Sequence, residues 1–419
     1  MKKLFLLMVS VVVLLLAACS GDEGSSEKNA ESGENVELTI GMWDEAQAKA
    51  YEPVIEEFQK QNPNIKVTLQ PTPWEQYWTK LDTAASSSVL PDVFWMNGPN
   101  FQKYASNGIL LPLNDYIENG EIDLSNYPPE LVDLYTLEDE SYGIPKDFDT
   151  VGLFYNKELF DKAGVEYPDD TWDWTTLVET AKKLTDAENG TFGMVSFLNN
   201  QAGYYNTIYQ AGGHILSEDQ QDIGYDDAAT IEGMKFWTDL IHESKVSPTL
   251  AQMTDTAPRQ FFESGKAAMM YDGSWMASVF NEALPDKVGV AVLPEGKERA
   301  TIIHGTSHAI ATNTKHPDEA WKLVEFLGSE EASLMFSESG SFIPAFNGTQ
   351  DAWVEKLPDM NLQAFIEMLD YAVAYPANDN TPEWQAMESE ILPKAWTGEQ
   401  STEDTLNELD EEIEKILDK

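Results

Sequence analysis

Between residues 36 and 95 the apolar positions change period four times, and that alternation restricts the fold more than any other feature of the chain. Val36, Leu38 and Ile40 alternate with polar residues up to Met42-Trp43, the period of a half-buried strand. Tyr51, Val54, Ile55 and Phe58 then follow at i, i+3, i+4 and i+7, the apolar face of a helix that Asn62-Pro63 stops. Ile65, Val67 and Leu69 alternate again. Residues 74–88 read as a helix and Asp92-Val93-Phe94-Trp95 as a third short strand. A β-α-β-α-β order argues for an open, mostly parallel sheet with helices on both faces.

The pattern continues downstream. Val151 to Tyr155 reads as a strand, and the helix that starts near Lys157 is closed by Gly164. Thr176-Leu177-Val178-Glu179 has the spacing of a capping box before another helix. Ile231, Met234, Trp237 and Ile241 mark an amphipathic helix, Pro258 opens a short one that Gly265 ends, and Val288, Val290 and Val292 alternate as a strand. Pro317 opens a helix with Leu323, Val324 and Leu327 inward, and the last hundred residues read as almost wholly helical. The chain is therefore of the α/β class, and its 419 residues suffice for two lobes with separate cores.

The N-terminus carries different information. Lys2 and Lys3 precede an apolar run from Leu4 to Leu16, which Ala17-Ala18-Cys19 closes before the polar stretch that begins Ser20-Gly21-Asp22-Glu23. A positive start, a short apolar core and small residues at a cleavage point form a secretory signal over residues 1–18. Cys19, the single cysteine, stands where bacterial lipoproteins resembling this pattern carry their acyl chains, and a lone cysteine excludes an intrachain disulfide framework. Residues 19–35, nearly devoid of apolar side chains, read as a flexible linker. The expected location is the extracellular face of a cytoplasmic membrane, lipid-anchored, in a Gram-positive cell.

Charge narrows the partners. The chain has 26 basic and 73 acidic side chains, a net charge of −47. Nucleic acid and anionic lipid surfaces need a basic face, so neither is an expected partner; membrane contact is expected through the anchor only. Phosphate-cradling G-x-x-x-x-G-K-[ST] and G-x-G-x-x-G patterns are missing, as are H-E-x-x-H and G-x-S-x-G. His304 and His308 stand four apart, but the Gly, Thr and Ser around them read as a loop leading into a strand at Ala309-Ile310-Ala311, so no metal and no cofactor is expected.

Tryptophan and tyrosine gather at the ends of expected elements. Trp43 and Trp95 close strands, Trp275 follows Tyr271-Asp272-Gly273-Ser274, Tyr204 and Tyr205 lie in a polar segment, and Trp384 opens a late helix. Ligands of open α/β sheets bind outside the carboxyl ends of the strands, where aromatic faces suit the C–H faces of sugar rings. Asp44, Asn97, Asp147 and Asp149 supply hydroxyl partners there, and Asp272, His304 and Gly305 complete the candidate binding set.

Several segments, in order, carry a resemblance. Pro91-Asp92-Val93-Phe94-Trp95 leads to Gly108-Ile109-Leu110-Leu111-Pro112-Leu113, then Tyr142-Gly143-Ile144-Pro145 and Leu153-Phe154-Tyr155-Asn156-Lys157-Glu158-Leu159-Phe160. Thr171-Trp172-Asp173-Trp174, Gly265-Lys266-Ala267-Ala268-Met269-Met270 and Ser341-Phe342-Ile343-Pro344-Ala345 follow. Together these resemble the extracellular solute-binding proteins of bacterial sugar ABC importers, the group that includes maltose-binding protein. The resemblance implies a type II periplasmic-binding-protein-like fold, two α/β lobes with a ligand cleft and hinge. It implies lobe 1 over 36–148 plus 292–343 and lobe 2 over 149–291 plus 344–419. It also implies aromatic ligand contacts at Trp95, Trp275 and Trp384, and an acid near the first crossover, Asp147 or Asp149. Where the maltose group commonly has an acid and a base after the aromatic, this chain has Asn97 and Gly98-Pro99, which argues against maltose itself.

The function expected is binding of an extracellular sugar, an oligosaccharide, by a non-catalytic monomer that hands it to transmembrane permease subunits. A receptor for a polyamine or peptide and a surface-tethered carbohydrate-active enzyme are the alternatives.

Overall fold

The computed structural model describes residues 35–217, 220 and 222–417; the expected leader, Cys19 and all but the last residue of the linker lie outside the described residues. In chain order the strands used below are β1 (Val36–Met42), β2 (Ile65–Pro71), β3 (Val93–Asn97), β4 (Gly143–Pro145), β5 (Asp147–Phe148) and β6 (Val151–Asn156). Then come β7 (Met269–Gly273), β8 (Val288–Ala291), β9 (Thr301–Ile303), β10 (Thr306–Ile310), β11 (Ile343–Pro344) and β12 (Ala372–Ala374).

The first sheet has the order β2-β1-β3-β10-β4. β1 runs parallel to β2, in register from Val36 opposite Ile65 to Met42 opposite Pro71, and parallel to β3. Asp92 pins the β1–β3 offset, since its Oδ2 accepts from Thr39 N and Oγ1, both at 2.9 Å. The helix Glu45–Gln61 covers this sheet through Tyr51, Val54, Ile55 and Phe58, all buried and each contributing about 1.5–3 kcal/mol. β10 enters antiparallel to both β3 and β4. The second sheet, β8-β6-β7, is antiparallel throughout. Within these two sheets parallel pairing is confined to the segment where helices connect successive strands; outside them β9 and β12 also pair parallel.

Three segments cross side by side between the sheets. β5 pairs with β11, Asp149 N donates to His304 O at 2.7 Å, Lys146 N to Thr306 O at 2.8 Å, and Ala345 N to Lys146 O at 3.1 Å. Two stretches at the expected lobe edges pack with the opposite sheet's neighbours. β9 pairs with β12, and Thr301 Oγ1 donates to Val151 O at 2.9 Å; Trp353 N donates to Ser337 Oγ on the helix Glu330–Ser339 at 3.0 Å.

Local chemistry decides several boundaries. The helix Trp174–Leu184 is capped by Asp173, whose Oδ1 accepts from Thr176 N at 2.7 Å, so the true cap lies three residues before the expected Thr176. Asn97 caps Gly98–Ser106 with Pro99 in its first turn. The Thr306-Ser307-His308 stretch belongs to β10 rather than to a loop. The last hundred residues are helical at Pro317–Leu327, Glu330–Ser339, Thr381–Ile391 and Thr402–Leu417, but β11, β12 and turns separate these helices.

Candidate functional site

A cleft of about 720 Å³ opens between the two sheets, within the range usual for small-ligand sites. Its first wall is aromatic. Trp43, just beyond β1, meets Trp74 at 5.4 Å, Trp78 at 6.0 Å and Trp95 at 5.0 Å between ring centroids. Trp74 is 48% exposed at the start of the helix Trp74–Ser86, whereas Trp95 has no exposure and forms the floor beneath Trp43. Trp95 Nε1 donates to Tyr51 Oη at 3.1 Å, and Tyr51 Oη lies 2.7 Å from His308 Nε2. Burial holds the His308 imidazole far below its usual range, so it stays neutral.

Lys146 is buried behind this floor, its ammonium 4.3 Å from the Trp95 ring centroid and 3.8 Å from that of Phe342. It donates to Gln47 Oε1 at 3.1 Å and pairs with Asp147. Burial lowers its pKa, and Asp147 opposes that shift. Asp147 also accepts from Thr306 N at 2.7 Å and Thr306 Oγ1 at 2.6 Å, so this carboxylate ties β5 to β10.

Asp149 and His304 sit where the crossings meet the cleft. His304 Nε2 accepts from Gly98 N at 3.2 Å, which places the ring proton on Nδ1, 3.9 Å from Asp149 Oδ2. Asp149 accepts from Gln201 Nε2 on the opposite wall, and burial pushes its pKa up to about 6. The couple thus takes one polar contact from each side of the cleft. Away from the cleft lining, Gln102 Nε2 donates to Gln220 Oε1 at 3.2 Å.

The second wall is rich in amides. Asn199, Asn200 and Gln201 form the start of a π-helical turn, Asn200–Tyr204. Tyr375 Oη accepts from Asn200 Nδ2 at 2.8 Å and from Gln385 Nε2 at 2.6 Å. Trp275 and Arg259 complete this wall, and Arg259 is held by Asp272 through Nε–Oδ2 and Nη2–Oδ1 bonds of 2.7 and 2.9 Å.

Of the candidate residues, the structure brings Trp43, Asp44, Trp95, Asn97, Asp147, Asp149, Trp275 and His304 to the cleft. Asn97 spends its Oδ1 on Asn100 N and Nδ2, at 3.3 and 2.9 Å, as a helix cap. Five candidates are not at the cleft surface. Tyr204 and Tyr205 are core residues: Tyr204 packs on Trp396, and Tyr205 Oη donates to buried Glu388 at 2.8 Å. The π-helical turn directs the preceding amides to the cleft instead. Asp272 lies behind Arg259. Gly305 packs against the Asp147 carbonyl, where any Cβ would stand 2.2 Å from the oxygen. Trp384 has no exposure and donates to Asn378 Oδ1 at 3.1 Å; its neighbour Gln385 faces the cleft.

Sequence reasoning missed Gln47, Trp74, Trp78, Arg259, Gln385 and the Asn199–Gln201 run. The last carried a usable signal, three consecutive amides in a polar segment beside two tyrosines. Among the described residues no group of three or more His, Cys, Asp or Glu side chains fits a metal ion.

The family model described as bacterial extracellular solute-binding protein matches residues 43–333, more than half of the chain. A solved ABC substrate-binding protein from Listeria monocytogenes, in complex with cycloalternan, superposes with a TM-score of 0.85 at 30% identity, covering 92% of this chain and 99% of its own. A Thermotoga lettingae solute-binding protein bound with α-D-tagatose gives a TM-score of 0.79 at 26% identity over 91% of this chain and 99% of its own. The galactooligosaccharide-binding protein of Bacillus subtilis is 25% identical over 354 residues, 81% of this chain and 79% of the relative.

Proposed function

The chain belongs to the bacterial extracellular solute-binding protein family, and from that premise we propose that its cleft binds an oligosaccharide and delivers it to the permease of an ABC importer. Family membership places it outside the cytoplasmic membrane, extracellular or periplasmic. The observation that carries the ligand class is the pairing of walls: clustered tryptophans packed edge-to-face or tilted on one side, amides and Trp275 on the other. Tryptophan faces desolvate the C–H faces of sugar rings, while Gln201, Gln385 and Asn200 meet hydroxyls at the ring edges.

In this reading the ligand rests on one wall and the hinge segments bring the other over it, closure being favoured by contacts made only in the closed form. No bond is made or broken, and the receptor acts as a monomer. Acylation of Cys19 tethers it to the cell surface of a Gram-positive organism and keeps the loaded receptor near its permease. The test is a thermal-shift screen of mono- and oligosaccharides, since a ligand of the folded state alone raises the melting temperature. Trp275→Ala is expected to weaken binding of the saccharide so identified by at least about tenfold. Wild-type affinity in that variant would remove this site.

One observation favours a second reading. Asp44, Asp147 and Asp149 line the cleft of a chain with net charge −47, a setting that also suits a polyamine. Calorimetry against spermidine separates the two, because heat from the polyamine and none from any saccharide reverses the assignment.

A further inference from the structure

We propose that Asp272, which does not itself reach the cleft, sets the chemical class of the ligand through Arg259, so that the site takes uncharged saccharides and rejects uronates and other anionic sugars. The assignment rests on the oligosaccharide reading and narrows it. Among the described residues lining the cleft, Arg259 is the one lysine or arginine, against the carboxylates of Asp44, Asp147 and Asp149. It is therefore the cation an anionic sugar would have to use.

That cation is already matched. Arg259 Nε donates to Asp272 Oδ2 at 2.7 Å and Nη2 to Oδ1 at 2.9 Å, the planar two-point fork in which guanidinium and carboxylate fit best. The Asp272 side chain has no exposure while that of Arg259 is 38% exposed, so the carboxylate is sunk in the wall and only an edge of the guanidinium faces the cleft. Gly273 N donates to Asp272 Oδ1 at 2.9 Å and fixes the carboxylate from the other side. The Trp275 ring lies directly on Gly273, where a Cβ would stand 1.8 Å from it, so the ion pair and the aromatic ring form one platform. The nearby Lys146 offers no substitute, being buried under Trp95 and Phe342 and paired with Asp147.

A ligand carboxylate would either displace Asp272 from a geometry it cannot improve or take the remaining N–H groups of a guanidinium whose charge is already cancelled, while losing water beside the cleft carboxylates. A hydroxyl needs no such exchange, because the guanidinium N–H groups that Asp272 does not engage remain as donors to a neutral oxygen. Asp272 is thus a positioning residue: it cancels the charge of Arg259 and keeps its donors.

The experiment is calorimetry on the full chain at low salt, with neutral galacto- and maltooligosaccharides in one panel and galacturonate oligomers of matched length in the other. Wild type is expected to bind a neutral member and to bind uronates at least about 100-fold more weakly, since the uronate carboxylates are brought beside like charges with no unmatched cation to offset them. Asp272→Asn keeps the side chain's shape, releases the guanidinium charge, and is expected to narrow that ratio by about tenfold or more while weakening the neutral ligand. A purely structural role would lower both affinities together and leave the ratio alone; that result, or uronate binding by wild type as tight as neutral binding, overturns the proposal. Should Asp272→Asn lose its cooperative melt, Arg259→Gln decides: continued rejection of uronates with weaker neutral binding supports it, and unchanged neutral binding sinks it. Binding by neither panel would instead fail the oligosaccharide reading beneath it.

Discussion

Glu388 shows how burial governs a single carboxyl in this molecule. It is 3% exposed on the helix Thr381–Ile391, accepts hydrogen bonds from Tyr205 and Tyr225, and has its pKa pushed up by burial to about 7. A carboxyl raised from 4.5 in the unfolded chain stabilises the fold fully at low pH, and that stability is lost as pH rises through about 7, roughly 3 kcal/mol in all. Calorimetric melting of wild type should therefore fall more steeply between about pH 5 and about pH 8 than melting of Glu388→Gln. Equal slopes would show that Glu388 does not ionise in that window. Tyr204 and Tyr205, which the sequence marks as ligand residues, are part of this buried cluster instead. Composition placed aromatic and polar side chains together at 199–205, but only the rotation of the π-helical turn decides which of them face the cleft. The same limit separates Trp384 from Gln385: one helical step of about 100° turns one inward and the other outward.

The crossing segments are the elements on which binding most depends. Gly305 lies between His304, which takes the Gly98 amide, and Thr306, which holds Asp147. Gly305→Ala forces a Cβ against the Asp147 carbonyl, so β5 and β10 must separate. A loss of about 1–3 kcal/mol in denaturant titration is expected, with weaker saccharide binding because Asp147 and Thr306 no longer meet. A midpoint equal to wild type would mean the crossing absorbs the methyl elsewhere. Asn97→Ala is a milder case, removing the cap of Gly98–Ser106 at about 1 kcal/mol, read from the same titration. Elements with clean periods were legible beforehand: β1, β2, β3 and the helices between them follow the alternation of apolar residues. The antiparallel second sheet was not, because period two is shared by parallel and antiparallel strands and pairing direction depends on connections remote in sequence. The first three residues of β10 hid for another reason. Thr306, Ser307 and His308 resemble a loop by residue type, yet all three are buried, with Ser307 and His308 paired on both sides, to β3 and β4.

At the scale of the whole molecule, a net charge of −47 opposes compaction. Screening should relieve it, so the melting temperature is expected to rise between about 10 mM and about 1 M of a weakly interacting salt, where the Debye length falls from roughly 30 Å to 3 Å. A melting temperature independent of salt would mean the acids are neutralised locally. The aromatic wall has a further consequence at this scale. Trp43 stands 5.0 Å from Trp95 and 5.4 Å from Trp74, both nearly perpendicular, and Trp74 remains open to water. Indoles held this close share their electronic excitation, and the one at the rim emits from a polar environment until something covers it. The receptor is in effect its own optical probe: occupancy and closure can be followed without a label, by the colour of its ultraviolet emission and by the shape of its aromatic circular dichroism.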